Sequence, residues 1–260
     1  MNASPPNHNP AAGPPSNPVE DAAYCANQVQ EQDSDRYLIA LFQPKHVRAT
    51  AITLAAWNLE LSNARPPSGE KTLGLIRLQW HRDALQEILA GNPRRHPVIN
   101  ALAVAHESRL VDAAVLDIIV ESRERDLDPE PPRDLPELEA YARATSGALH
   151  RHLWRDTKAA RAAEDAGTAF ALIGLARSEP INQARGRPWA PKALNGDLRP
   201  LIQRAIELAE TNGPSAAIAP ATIAKGYAKR ALKANCDPTS ALMAAADPWR
   251  LWRLLMTKVL

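Results

Sequence analysis

Two short polar pairs, Ser62 with Asn63 and Ser178 with Asn182, mark the places where this 260-residue chain could do chemistry. Ser178 and Asn182 stand four apart, and side chains at that spacing rise from one face of a helix. Carboxylates so placed would reach into one cavity and ligate Mg²⁺. That hard cation takes oxygen ligands and neutralises the charge that develops on a departing diphosphate. Ser178 and Asn182 keep the spacing and carry no charge. Glu179 is the only acid between Gly167 and Pro191, and it points about 100° away from Ser178 on a helical wheel. Pro180 is expected to end or kink the helix there, which reads as a helix C-terminus without a metal site. The cations Arg177, Arg185, Arg187 and Lys192 cluster nearby. Guanidinium forks bind phosphate; the same residues can equally cap a helix C-terminus and pair with local acids.

The elements that must position these residues are helical. Alanine and leucine dominate and aromatics are only 5% of the chain, which favours helix over sheet. Ala51–Arg65 reads as one helix that Pro66 and Pro67 stop, with Ser62 and Asn63 at its end. Glu20–Leu41 and Leu135–Trp154 read as continuous helices, the second rich in small residues that permit close packing. Leu110, Val111, Ala114, Val115, Ile118 and Ile119 form one wide apolar stripe. Leu198–Thr211 and Ile218–Lys233 come next, divided by the breaker Asn212-Gly213-Pro214. Neither an internal repeat nor a convincing strand is found. Residues 20–260 are expected to form one domain, and the proline- and asparagine-rich residues 1–19 a disordered tail.

Charge and cysteine usage exclude several classes. A net charge of +2 gives no general case for nucleic acid. Cys25 and Cys236 are too few for a disulfide framework or a zinc site, and both are expected to be reduced and to act as small apolar residues. No segment approaches the roughly 20 apolar residues that span a bilayer, and the N-terminus lacks the basic start and apolar core of a secretory signal. The expected location is cytoplasmic.

Other candidates have simpler explanations. His150 and His152 are two apart and diverge on a helix, so they suit a core edge better than a metal. Ser146-Gly147 has no nucleophile-elbow frame. Glu121, Arg125, Asp126 and Asp128 read as a solvated network, Asp117–Glu121–Arg125 with Asp126 capping the next turn of chain; the functional alternative is a cavity-rim acid. At the end of the chain Trp249, Trp252, Leu255, Met256 and Val259 share one helical side, with Arg250, Arg253 and Lys258 carrying charge. Packing of that stripe on the body is favoured over contact with a membrane surface through Trp249–Leu260.

Taken in order, these motifs resemble the squalene/phytoene synthase family. Arg177 and Gly186-Arg187-Pro188-Trp189-Ala190-Pro191 keep the frame of that family's second aspartate-rich signature, with Ser178 and Asn182 in place of its acids. Ser62 and Asn63 fall about where the first signature has acids, and Glu60 lies one turn early. Ala56-Trp-Asn-Leu-Glu-Leu and Ser68–Trp80 are similar to the group of phytoene-synthase-like assembly factors of respiratory complex I. Trp80–Leu85, His96-Pro97 and Val120–Asp128 are further landmarks; the residues after Pro191 match less clearly.

The resemblance implies an all-α, isoprenoid-synthase-type bundle around a central cavity, with Ser62/Asn63 facing Ser178/Asn182 across it. It implies Glu60, Arg77, Glu121, Arg177 and Arg187 as anion or cavity residues, and no catalytic residue, metal or cofactor. The implied role is an inactive factor that assists complex I subunits or assembly intermediates, peripheral to the inner membrane. One alternative is an active prenyl transferase condensing two prenyl diphosphates, with Mg²⁺ held by Glu60, Glu121 or Asp126. Another is a non-catalytic protein holding an isoprenoid or lipid in the cavity.

Overall fold

The computed structural model describes residues 17–66 and 68–259, with side chains through Thr257. The expected tail therefore lies outside the described residues as far as residue 16, as do Pro67, Leu260 and the side chains of Lys258 and Val259. Pro18 already opens the first helix, capped by Asn17, whose side chain accepts from the Val19 N–H at 3.1 Å.

The first half is built of α1 (Pro18–Gln32), α2 (Ser34–Leu41), α3 (Arg48–Ser62), α4 (Lys71–Leu89), α5 (Pro97–Glu107) and α6 (Ala113–Ser122). The second comprises α7 (Leu135–Ala142), α8 (Ala148–Leu153), α9 (Ala160–Ala184), α10 (Arg199–Ala209), α11 (Ala219–Lys233), α12 (Ala241–Ala244) and α13 (Arg250–Val259). The described residues contain no strand. One apolar core gathers Cys25, Trp57, Leu61, Leu85, Leu102 and Leu116 from the first half. The other joins Leu172 and Ile173 of α9 to Ile202, Ile223 and Tyr227.

Four local expectations are corrected. The helix expected over Glu20–Leu41 breaks at Asp33, whose carboxylate accepts from the Arg36 N–H at 3.0 Å while its own N–H donates to the Val29 carbonyl. One residue thus closes α1 and opens α2. The run Leu135–Trp154 is interrupted by a π-helical turn at Arg143–Gly147, where the Thr145 hydroxyl donates to the Tyr141 carbonyl at 2.8 Å. The stripe expected from Leu110 to Ile119 is divided, since Asp112 caps α6. Ala113, Leu116, Ile119 and Val120 are buried, and Val115 and Ile118 face outward.

The fourth correction concerns Pro180, which does not end its helix: α9 runs through it to Ala184. A proline removes one N–H and crowds one turn, and the next turn is secured from outside the ladder. The Asn182 carbonyl accepts from the N–H groups of Arg185 (3.1 Å) and Arg187 (2.8 Å). Glu179, only 1% exposed, ties the same turn to the loop beyond it. Near its other end α9 crosses the π-helical turn before α8 almost backbone to backbone. A Cβ on Gly167 would stand 2.7 Å from the Ser146 carbonyl oxygen, so only glycine fits.

Candidate functional site: a cavity lined by arginine

The C-terminal end of α3 and the last third of α9 face one another across a cavity of 660 Å³. Ser62 and Asn63 line it from α3, and Leu175, Ser178 and Asn182 from α9. Arg65, Pro66 and Gly69 come from the α3–α4 loop, Arg123 and Asp126 from the 3₁₀ turn after α6, and Tyr141 from α7. The loop after α9 adds Arg185, Arg187 and Trp189.

Ser62 and Ser178 turn partly back on their own helices. The Ser62 hydroxyl donates to the Leu59 carbonyl at 2.8 Å. The Ser178 hydroxyl donates to the Leu175 carbonyl at 3.2 Å and accepts from the Asn182 amide at 2.9 Å. The floor is a tight polar knot. Buried Arg123 donates to Asn58 Oδ1 at 2.5 Å, to the Tyr141 hydroxyl at 2.8 Å and to Asp126 Oδ2 at 3.2 Å. Tyr141 in turn donates to Asp126 Oδ1. Burial raises the Asp126 carboxyl above its ordinary range, with Arg123 and Tyr141 opposing. Asp126 is thus the one carboxylate among the described residues that line the cavity, and both its oxygens are taken.

The remaining charge is positive. Arg65 donates through Nη1 to the carbonyls of Asp126 (3.1 Å) and Asp128 (3.2 Å). The Arg187 guanidinium is depressed, first by burial and then by the like charges of Arg65 and Arg185, while Asp126 acts the other way. Trp189 packs on Tyr141 with ring centroids 4.5 Å apart. Its N–H and that of Ala190 are both fixed by Glu179 Oε2, at 2.8 and 3.0 Å. Glu179 is therefore a structural clamp that holds the arginine-bearing loop against α9.

Several residues expected at the cavity lie elsewhere. Arg177 turns to the opposite side of α9, with its guanidinium 3.6 Å from the centroid of the Tyr227 ring. It donates to the carbonyls of Met243 and Ala244 and stands 3.9 Å from Asp35, which is also bound by Tyr227 at 2.6 Å and paired with Arg250 at 2.9 Å. Having anchored the α12 segment, Arg177 does not line the cavity. Arg77 is exposed and donates to the Ala64 carbonyl at 3.4 Å. Glu121 is exposed on α6; the expected network through it is replaced by Arg82 with Asp117 and Glu124, and Arg125 with Asp128 and Glu137. Lys192 pairs with Glu130 at 2.6 Å.

Glu60 faces away from the cavity, into a polar pocket among α1, α3 and α5. Burial pushes its carboxyl up to about 7, with Gln28 opposing. His96 Nε2 lies 3.6 Å from Glu60, but burial lowers that imidazole, so the pair is not a full salt bridge. His152 is buried and accepts the Asp112 N–H at 3.0 Å, a structural role.

Mg²⁺, which the family resemblance raises, does not suit this donor set. Among the described residues no three His, Cys, Asp or Glu side chains gather to hold a metal ion, and the cavity sets four arginines against one engaged aspartate. Sequence reading passes over Arg123, Arg65 and Tyr141. The available signal is an arginine three residues before Asp126, at the end of an apolar helix.

Comparison with known proteins supplies a context. A family model described as squalene/phytoene synthase matches residues 29–195. Curated relatives include NADH dehydrogenase (ubiquinone) complex I, assembly factor 6 from Bos taurus, 32% identical over 173 residues, and from Homo sapiens, 31% identical over 173 residues. Each match covers 65% of this chain and 52% of the relative, so the chain spans about half the length of these proteins. Two solved structures share the fold at low identity. A dehydrosqualene synthase in complex with ligand gives a TM-score of 0.70 at 17% identity, over 93% of this chain and 96% of the other. Squalene synthase HpnC from Alicyclobacillus acidocaldarius gives 0.59 at 16% identity, over 93% and 90%.

Proposed function

This chain belongs to the squalene/phytoene synthase family, and on that premise we propose that it acts without prenyl-transfer chemistry, as an assembly factor for respiratory complex I. The observation that carries the negative half is the charge of the cavity. Ionising a prenyl diphosphate through Mg²⁺ needs carboxylates on both walls, and here the walls bear Ser62, Asn63, Ser178 and Asn182 beneath a group of guanidinium ions. The only carboxylate among the described lining residues, Asp126, is occupied by Arg123 and Tyr141. The positive half is supported by the assembly factor 6 relatives. Residues 20–260 are taken as one working unit. Complex I subunits or assembly intermediates are its proposed partners.

We further propose that the unit meets the inner membrane through α13. Sequence periodicity favours burial of the α13 stripe, but Trp249 is 63% exposed, Trp252 59%, and Leu255 and Met256 are also exposed. The helix turns two arginines inward instead: Arg250 pairs with Asp35, and Arg253 with the buried Asp247 at 3.0 Å. Lys229, Arg230 and Lys233 of α11 line a depression beside Trp249. Indole rings bordered by cations suit the interface of an anionic bilayer. Described helices include none long and apolar enough to cross a membrane.

Deleting the gene is expected to lower assembled complex I and NADH dehydrogenase activity while squalene- and carotenoid-type pools stay normal. Normal complex I with a missing isoprenoid would overturn the role. Conversion of labelled prenyl diphosphate to a squalene- or phytoene-type hydrocarbon by the purified chain would restore the transferase reading.

A further inference from the structure

Of the four described arginines that line the cavity, only Arg123 donates to other side chains, and its Nε is buried without a partner. Arg65 spends one nitrogen on two backbone carbonyls, and its buried Nε has no partner. Among the described residues no carboxylate comes within ion-pair distance of Arg65, Arg185 or Arg187. Like charges gathered at a partly desolvated wall repel one another, and an anion placed between them relieves that repulsion. Planar guanidinium forks match phosphate oxygens two at a time. The opposite walls offer the amides of Asn63 and Asn182. Among the described lining residues, Leu175 is the one aliphatic side chain besides Pro66. The separate apolar slot lined by Ile39, Leu54 and Leu149 measures only 30 Å³, too little for a prenyl chain.

We infer that the cavity binds a hydrophilic, phosphate-bearing anion directly through Arg65, Arg185 and Arg187, with no metal between phosphate and protein. The inference rests on the reading of the cavity as one without metal ligands. Arginine replaces the cation as the counter-charge, so the site retains an anion and has no means of activating it. A soluble phosphate ester and a lipid headgroup present the same chemistry to these side chains.

Isothermal titration of the full chain with inorganic diphosphate at low salt tests this. Saturable binding is expected, with the same affinity in EDTA as in Mg²⁺. Losing one charged hydrogen-bonding arginine is expected to weaken it roughly ten- to a hundredfold in Arg187→Gln and Arg185→Gln. Arg133→Gln, at an exposed residue outside the cavity, should bind as wild type does. Arg185 is exposed and its side chain makes no hydrogen bond or ion pair with the described residues, so its variant separates lost binding from lost folding, and circular dichroism checks both variants. Absence of saturable heat, binding that appears only with Mg²⁺, or unchanged affinity in both arginine variants would overturn the inference. So would a marked gain in affinity when farnesyl diphosphate replaces diphosphate, because the cavity would then be serving an alkyl chain. Competition by vesicles containing phosphatidic acid assigns the source as a headgroup; its absence assigns a soluble ester. Either result supports direct arginine binding. Complex I assembly and prenyl turnover are scored separately, so a failed titration leaves the proposed role to be judged on its own.

Discussion

Replacing Glu179 tests whether the arginine loop is held in place by one buried carboxylate. Its Oε2 accepts two backbone N–H groups, from Trp189 at 2.8 Å and Ala190 at 3.0 Å, and its Oε1 accepts from Gln183 at 3.0 Å. Hydrogen bonds to a charged group contribute about 1.5–3 kcal/mol each, and a buried donor left without a partner costs about 1–3 kcal/mol. Glu179→Gln keeps an oxygen toward the loop and lets Gln183 turn its amide, so it should lose charge assistance only, about 1–2 kcal/mol. Glu179→Ala strands two half-buried N–H groups and leaves a void, and should cost about 3–5 kcal/mol. At about 2–4 °C per kcal/mol for a chain of this size, the alanine variant should melt roughly 10 °C lower and the glutamine variant about 4 °C lower. Thermal denaturation followed by circular dichroism measures both, and the fluorescence of Trp189 should shift red in the alanine variant as its ring gains water. If the alanine variant melts within about 1 °C of wild type, the clamp contributes no more than a few tenths of a kcal/mol, and the proposed hold on the loop is wrong.

His81 and His152 are both buried, and burial lowers each from 6.5 to about 4. Depressed imidazoles leave stability intact above the unfolded value and withdraw it as pH falls from 6.5 toward 4. The unfolding free energy from urea titrations should drop through that window, by up to about 3 kcal/mol for each histidine. His152→Gln retains an acceptor for the Asp112 N–H and should flatten the curve; an unchanged slope would refute the assignment. Glu60 runs the opposite way: its folded value lies above the unfolded 4.5, so ionisation opposes folding increasingly from 4.5 to 7 and fully above that. Glu60→Gln should therefore stabilise the protein at pH 8, by at most about 3 kcal/mol, with the gain vanishing below pH 4.5. Equal stability of the two proteins at pH 8 would exclude a buried charge at Glu60. Gly226→Ala places a methyl against the Asp247 carboxylate and the Arg253 side chain. The overpacking should cost about 1–3 kcal/mol and make α13 sensitive to trypsin; an unchanged digestion pattern would show that the contact yields freely.

Two cavity walls, distant in sequence, were legible because each shows itself locally. Ser178 and Asn182 have helical spacing, and Ser62 and Asn63 sit at a helix end before Pro66. The hidden part depended on which side of a helix faces the body. Periodicity groups the residues that share a face but does not say where that face points. On α13 the apolar stripe is plain in the sequence, yet Asp35 and Asp247 lie inside and draw Arg250 and Arg253 inward, which turns the tryptophans out. Arg177 misled for a similar reason, because the Tyr227 ring and the Met243 and Ala244 carbonyls that capture it belong to later helices. Pro180 read as a stop because the clamp that carries α9 past it is closed by residues of the loop beyond.

Asp35 joins parts of the molecule that differ in sequence and in task. It binds Tyr227 of α11, pairs with Arg250 of α13 and faces Arg177 of α9. The helix that presents tryptophans outward and the helix that forms one cavity wall therefore share a single negative charge. Truncating α13 would take one of three partners from that carboxylate, and the two that remain, Tyr227 and Arg177, belong to helices of the second core.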